Sequence, residues 1–163
     1  MSYKPFKQES FDEFNDKVMK IVKKNLLFHG YYLDENPDKF GVYFLLLNTY
    51  CQVRGFVEVE SHAKHWFEHF PFETVHFLGR KLKYVKPNSY YIMINYNGVS
   101  SVMLPFEELK KYDVIRMDTA VFKEDAIIDV PIDKCIWGWD NISKFIENDL
   151  KKNFIVFLNK KQL

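Results

Sequence analysis

The sequence predicts an α/β (α+β) protein in which helices flank a central mixed sheet. Three observations lead to this prediction: an amphipathic helix near the start, strand-like segments through the middle, and a second amphipathic helix near the end. The chain has 163 residues, and no repeat or linker-like stretch divides it. Residues 1–163 are therefore predicted to form a single domain.

The composition is typical of a folded globular protein, with 47% hydrophobic and 28% charged residues, so global disorder is excluded. A net charge of +1 argues against a strongly basic nucleic-acid-binding domain but leaves room for a local basic patch. Cys51 and Cys135 are isolated and are interpreted as reduced core thiols. No signal peptide or membrane-length apolar run occurs, so we expect a cytoplasmic protein.

The first helix is predicted to begin at Ser10 with a capping box. The Ser10 hydroxyl can accept from the Glu13 amide, and the Glu13 side chain can reach back. Gly30 follows basic residues of the last turn and is predicted to end the helix. The apolar positions recur at helical spacing, and they are Phe11, Phe14, Val18, Ile21 and Val22.

Two strands are predicted next. Residues 41–47 form a nearly continuous apolar run, which is typical of a strand covered on both faces. In residues 53–60 apolar and charged side chains alternate, the pattern of a half-buried strand. The two strands are predicted to pair antiparallel through residues 48–50, and residues 34–38 are predicted to form a turn.

The clearest hairpin joins residues 90–95 to residues 99–104 through Asn97-Gly98. Other extended segments are predicted at residues 74–78, 114–117, 127–130 and 133–138, and short helices at residues 80–83 and 105–110.

The last helix is predicted to begin at Asp140 or Asn141 and to run through Leu150. The apolar residues 154–158 are predicted to form either a terminal strand or a docking tail.

Histidines follow the second strand. Ser61 is predicted to cap a short helix that places His62, His65 and His69 on one side. Such a trio could supply imidazoles to one metal ion, but the spacing fits no named zinc motif. A polar face around an anchoring Trp66 is the favoured interpretation.

The best candidate site is a pair of acids on the second strand. Glu58 and Glu60 lie on the same strand face, about 7 Å apart by strand rise. Two carboxylates this close repel each other unless solvent, a cation or a metal ion compensates. A solvated face with ion pairs to Arg54, Arg80 or Lys81 is the alternative interpretation.

The order of helix, strand and strand with paired acids resembles the PD-(D/E)XK nuclease superfamily, so the resemblance implies a restriction-endonuclease-like core. Over residues 10–138 the chain is similar to uncharacterised nuclease-like proteins of phages and environmental bacteria. For a phage-encoded protein, the resemblance implies a location in the host cytoplasm or the virion. The segments that carry it are residues 57–60, Trp66, residues 70–76 and Arg80-Lys81.

The resemblance implies phosphodiester hydrolysis assisted by Mg²⁺ or Mn²⁺. Glu58 matches the first acid of the signature, Glu13 the first-helix acid, and Asp38 is a further acid upstream. Glu60 stands where the signature has lysine, and Lys81 can supply that cation from the following helix. The implied catalytic residues are thus Glu58, Glu60 and Lys81.

Arg80, Lys81 and Lys83 form a basic cluster with two interpretations: a solvated turn, or a group that binds DNA phosphates beside this nuclease-like site. The preceding strand departs from the pattern, because Tyr43 stands where an Asp is expected and a neutral phenol is a poor Mg²⁺ ligand. Two functions therefore compete. One is a DNA-associated, Mg²⁺-dependent phosphodiesterase with a degenerate site. The other is a non-catalytic phage or mobile-element component that assembles or binds a protein, as a homo-oligomer or with another partner.

Overall fold

The computed structural model describes residues 8–38, 41–62, 66, 70–118 and 123–160, with the side chains of residues 8–15, 62 and 155–160 left out. The helices are α1 (Gln8–Asn25), α2 (Phe106–Leu109) and α3 (Trp139–Lys160), and 3₁₀ turns span Gly79–Tyr84 and Ile132–Lys134. The strands are β1 (Tyr31–Glu35), β2 (Phe44–Asn48), β3 (Val53–His62), β4 (Thr74–Leu78), β5 (Ser89–Asn95), β6 (Ser101–Pro105), β7 (Val114–Met117), β8 (Asp125–Pro131) and β9 (Ile136–Trp137).

The strands form two sheets. A six-stranded mixed sheet has the order β1-β2-β3-β5-β6-β9, in which β3 and β5 pair parallel and the other neighbours pair antiparallel. A three-stranded antiparallel sheet has the order β4-β8-β7. The predicted α+β class with a mixed sheet is confirmed.

Each face of the large sheet covers a separate apolar core. Helices α1 and α3 pack on one face, where Val57 and Val59 of β3 meet Val22 and Ile146. The small sheet and α2 pack on the other face, where Val75 and Phe77, for example, contact side chains of β5. One face of the central sheet is thus covered by a second sheet and not by helices alone. All seven residues of β5 are buried, because this strand lies between the two cores.

The predicted hairpins are confirmed, and so are the short helices predicted at residues 80–83 and 105–110, the first of them as a 3₁₀ turn. Strands β2 and β3 pair antiparallel, as do β5 and β6 around Asn97-Gly98. Gly98 has a φ of +72° and packs so closely on Ile21 of α1 that a side chain at this position would overlap it. The segment after residue 133 forms the predicted edge strand, β9, which pairs with β6.

Several local predictions were wrong. Helix α1 begins at Gln8 and ends at Asn25, so Ser10 lies inside the helix and is not its cap, and Gly30 is not its end.

Residues 34–38 were predicted as a turn, but Asp34 and Glu35 belong to β1, an edge strand whose exposed polar residues hide the strand pattern. Ser61 does not cap a helix, because it continues β3 by pairing with Ile94 of β5. Cys51 is not a core thiol: it is exposed in a left-handed turn with φ 57°, and Tyr32 Oη donates to its sulfur at 3.1 Å.

The predicted terminal strand or docking tail at residues 154–158 is instead the continuation of α3. No glycine or proline interrupts the chain between Leu150 and these residues, so the helix can propagate through them. Within the described residues, neither α1 nor α3 combines the length and apolar character that a bilayer-spanning helix needs.

Candidate active site around Glu58

Glu58 lies in the middle of the molecule. It sits on β3 between the antiparallel neighbour β2 and the parallel neighbour β5, and its side chain has no exposed surface. The alternation of β3 turns Val57 and Val59 toward the helices and therefore turns Glu58 toward the small sheet. The interpretation of Glu58 as part of a solvated face is wrong, because the second sheet covers that face.

Lys81 is the partner of Glu58. The 3₁₀ turn that follows β4 carries Lys81 back over the sheet, where its Nζ contacts Glu58 Oε1. The Lys81 side chain is only 21% exposed, so the ion pair is largely shielded from water. Arg54, another suggested partner, instead donates to the side-chain oxygen of Gln52 at 2.6 Å.

The second carboxylate oxygen of Glu58 is different. Glu58 Oε2 is buried and has no hydrogen-bond partner among the residues that the structure describes. A buried acceptor without a partner costs about 1–3 kcal/mol, so this oxygen would gain from a proton or a cation.

Glu60 lies two residues further along the same face of β3. The hydroxyl of Tyr91 donates a hydrogen bond to Glu60 Oε2. Tyr91 is fully buried on β5, directly opposite Glu58 in the parallel register, and it stacks on Phe106 at 5.2 Å between ring centroids. The position of Glu60 is therefore fixed by a tyrosine that is itself held in the core.

The electrostatics of the site follow from burial. Burial raises the pKa of Glu58 above its usual value, and the Lys81 ammonium and the Tyr43 backbone only partly offset this. Burial, followed by the charge of Glu60, raises the pKa of Tyr91 well above its usual range, so its hydroxyl keeps its proton. This proton is the one that Tyr91 donates to Glu60 Oε2.

Tyr43, which stands where the resemblance implies an acid, borders both carboxylates. Burial and the nearby charges of Glu58 and Glu60 raise the pKa of Tyr43 to about 12. The side chain is neutral at physiological pH and adds no negative charge to the site.

Arg80, Lys81 and Lys83 of the basic cluster each contact a different side chain. Arg80 pairs with Asp125, a carboxylate that is almost fully buried. Lys83 lies over the ring of Tyr84, with its Nζ 4.9 Å from the ring centroid. Of the predicted phosphate contacts, Arg80 and Lys81 are thus engaged with acidic side chains of the same chain.

Asp38, a further predicted ligand, does not join Glu58. Asp38 is in an exposed turn, where its backbone N–H donates to Asn36 and its carbonyl accepts from Gly41. Helix α1 packs on the opposite face of the sheet from Glu58, and the side chain of Glu13 lies outside the described residues. Side chains at positions 62, 65 and 69 also lie outside them, so the histidine site stays untested.

A metal ion would depend on few ligands here. In the described ranges, no three His, Cys, Asp or Glu side chains come together in a way that could hold a metal. Glu58 Oε2 and the Glu60 carboxylate are two oxygen donors on one face, and Mg²⁺ often uses only one or two carboxylates and keeps several waters. Two carboxylates without a third such ligand among the described residues would hold a divalent ion only weakly.

Sequence reasoning missed Tyr91 as part of this site. Its strand reads as an apolar run, and only the parallel pairing of β3 with β5 brings it against Glu60. Comparison with protein-family models, with curated proteins and with solved structures finds no match to this chain. The PD-(D/E)XK resemblance therefore stays a prediction.

Proposed function

We propose that this chain is a DNA-associated protein in which Glu58, Glu60 and Lys81 form a metal-dependent phosphodiesterase site. One observation carries the proposal: Lys81 contacts Glu58 Oε1 while Glu58 Oε2 is buried without a partner in the described residues. In the resemblance, a lysine belongs at position 60, where this chain has Glu60. Lys81, on the 3₁₀ turn after β4, supplies a cation at the Glu58 carboxylate instead.

Each side chain would have a separate role. Glu58 Oε2 and Glu60 would hold Mg²⁺ or Mn²⁺, which when bound polarises a phosphoryl oxygen and lowers the pKa of water. The Lys81 ammonium offsets the charge of Glu58 and would stabilise negative charge that develops on the phosphate. Tyr91 orients Glu60 through its hydrogen bond.

Divalent ions should therefore switch on DNA cleavage that depends on Glu58. With Mg²⁺ or Mn²⁺, the purified protein is expected to nick plasmid or cut oligonucleotides, and Glu58→Gln should lower the rate by about 100-fold. Gel assays over a range of ions measure this, and circular dichroism checks that the variant is folded.

Glu107→Gln is the matched control, because Glu107 is exposed and pairs with Lys110, three residues further along the chain. It should cleave at the wild-type rate. No cleavage by the wild type with any divalent ion would eliminate the enzymatic proposal, and equal cleavage by Glu58→Gln would remove Glu58 from it.

The alternative, a non-catalytic assembly component, is favoured by strand β7. This strand is at the outer edge of the small sheet, and all four of its residues are exposed. Three of them are apolar, with Val114 47%, Ile115 41% and Met117 38% exposed. Exposed apolar edge strands tend to pair with another chain, so a second copy joined β7 to β7 is the assembly proposed here.

If this alternative holds, native mass spectrometry should detect a dimer that Ile115→Lys converts to monomer. A lysine on an edge strand blocks pairing because it would bury a charge. Leu27→Lys, at a residue 67% exposed and outside the sheets, is the control and should stay dimeric. A wild type that is monomeric at every concentration contradicts this assembly.

A further inference from the structure

A cleft lies at the end of the large sheet where β3 and β5 begin. The hairpin between β2 and β3, the residues just before β5 and helix α3 border it, and its volume of about 860 Å³ is within the range of small-molecule sites. Arg54, Lys151 and Phe154 are among the residues that line it. Glu58 and Lys81 are not, so this Arg54 cleft is separate from the proposed phosphodiesterase site.

The Arg54 cleft carries positive charge that a ligand can reach. Arg54 and Lys151 line it together with His29, and its described lining residues include no Asp or Glu. The Lys151 side chain is 57% exposed, and Arg54 is partly exposed. Helix α3 continues past Phe154, and residues 155–163 contain two lysines and no acidic residue. The part of the chain beyond Phe154 therefore brings no acidic side chain to the cleft.

The carboxylate of Glu147 lies beside the cleft and offsets part of this charge. Its Oε1 is 3.2 Å from His29 Nδ1, and its Oε2 is 3.9 Å from Lys151 Nζ. The ammonium of Lys151 is thus at the outer limit of an ion pair with Glu147, which leaves it able to turn toward a ligand in the cleft.

Arg54 contacts neutral side chains and is held in place by them. Its guanidinium donates to the side-chain oxygen of Gln52 at 2.6 Å, and its Cζ lies 5.2 Å from the centroid of the Phe154 ring. These contacts position Arg54 before any ligand arrives, which lowers the entropic cost of binding. A guanidinium has several N–H donors in a planar fork, so Arg54 can still donate to two oxygens of one phosphate.

Two aromatic rings of the cleft are exposed. Tyr50 is 82% exposed and Phe154 is 43% exposed, and both line the cleft. Any nucleobase can stack on an exposed aromatic ring, because every base has a flat π face. The cleft therefore places a phosphate-binding arginine next to rings on which a base can stack.

We propose that the Arg54 cleft binds a mononucleotide, a ligand that joins a phosphate group to a planar base. The guanidinium of Arg54 and the ammonium of Lys151 bind the phosphate. Tyr50 and Phe154 stack on the base. The proposal does not rest on the phosphodiesterase, because the cleft shares no residue with Glu58, Glu60 and Lys81.

The test compares AMP with adenosine, which lacks the phosphate, and with inorganic phosphate, which lacks the base. At one ionic strength, calorimetry should give AMP a dissociation constant about tenfold lower than either, which corresponds to about 1.4 kcal/mol. In ¹H spectra the base protons of bound AMP should move upfield, because they would lie over an aromatic ring. Added salt should weaken the binding of AMP more than that of adenosine.

Three variants divide the ligand between its two parts. Arg54→Gln should remove the preference for AMP over adenosine, and Lys151→Gln, at an exposed side chain, carries this test if Arg54→Gln does not fold. Tyr50→Ala should remove the preference for AMP over inorganic phosphate and reduce the upfield shift. Arg116→Gln is the matched control on exposed β7, and it should bind AMP as the wild type does.

Loss of the AMP preference in the folded cleft variants, with the control unchanged, supports the proposal. Three results would overturn it. They are no binding of AMP, an affinity for AMP equal to that for adenosine or for inorganic phosphate, and an AMP affinity that is unchanged in every folded cleft variant.

Discussion

Replacing Lys81 with methionine is expected to lower the free energy of unfolding by about 3 kcal/mol at neutral pH. Methionine keeps most of the apolar stem but removes the ammonium that contacts Glu58 Oε1. Glu58, which has no exposed surface, would then have to stay charged without its partner or take up a proton. Denaturant unfolding followed by circular dichroism measures the loss.

Two controls separate the ion pair from the substitution itself. Lys111→Met removes a 65% exposed lysine that pairs with Glu108, and it should change the stability by less than about 0.5 kcal/mol. The double variant Glu58→Gln/Lys81→Met removes both charges and should recover most of the loss. A Lys81→Met variant as stable as Lys111→Met would mean that the buried pair contributes nothing.

The free energy of unfolding should also depend on pH through Glu58. Burial raises the pKa of Glu58 above its usual value of 4.5, so the folded protein retains a proton that the unfolded chain has lost. Unfolding releases that proton, and the free energy of unfolding therefore falls as the pH rises from 4.5 through the folded-state pKa. The stability of the wild type minus that of Glu58→Gln should fall over this window. In Lys81→Met the window should extend to higher pH, because Lys81 lowers the pKa of Glu58.

Phe106→Ala is expected to destabilise the protein by about 4 kcal/mol. Phe106 is fully buried at the start of α2 and stacks on Tyr91, with ring planes 20° apart. The substitution leaves a cavity in the core between the two sheets and frees the ring that orients Glu60. Guanidinium unfolding measures the loss of stability.

Phe72→Ala is the matched control, because Phe72 is 55% exposed and its removal should cost less than about 1 kcal/mol. If Phe106→Ala and Phe72→Ala were equally stable, the core between the sheets would not hold Tyr91 in place. Phe106→Ala should change any metal-dependent activity only through Tyr91. If the variant is folded and Tyr91 has not moved, the activity should be retained.

Local pattern was enough for much of the fold. The alternation of residues 53–60 placed Glu58 and Glu60 on one face, because a strand repeats every two residues whatever surrounds it. Asn97-Gly98 predicted its hairpin from local conformation alone, because few residues other than glycine adopt the positive φ found at Gly98. The role of Lys81 as the replacement cation came from the PD-(D/E)XK resemblance and not from a local pattern.

Tertiary structure alone decided the environment of these residues. The parallel pairing of β3 with β5 brings Tyr91 against Glu60 across 31 positions of sequence, and no local period encodes such a contact. The small sheet buries Glu58, whereas the same alternating pattern is equally compatible with a strand face in water. Thus the sequence by itself determined that two carboxylates share a strand face. Long-range packing decided that one of them is buried, paired with Lys81 and left with an unpartnered oxygen in the described structure.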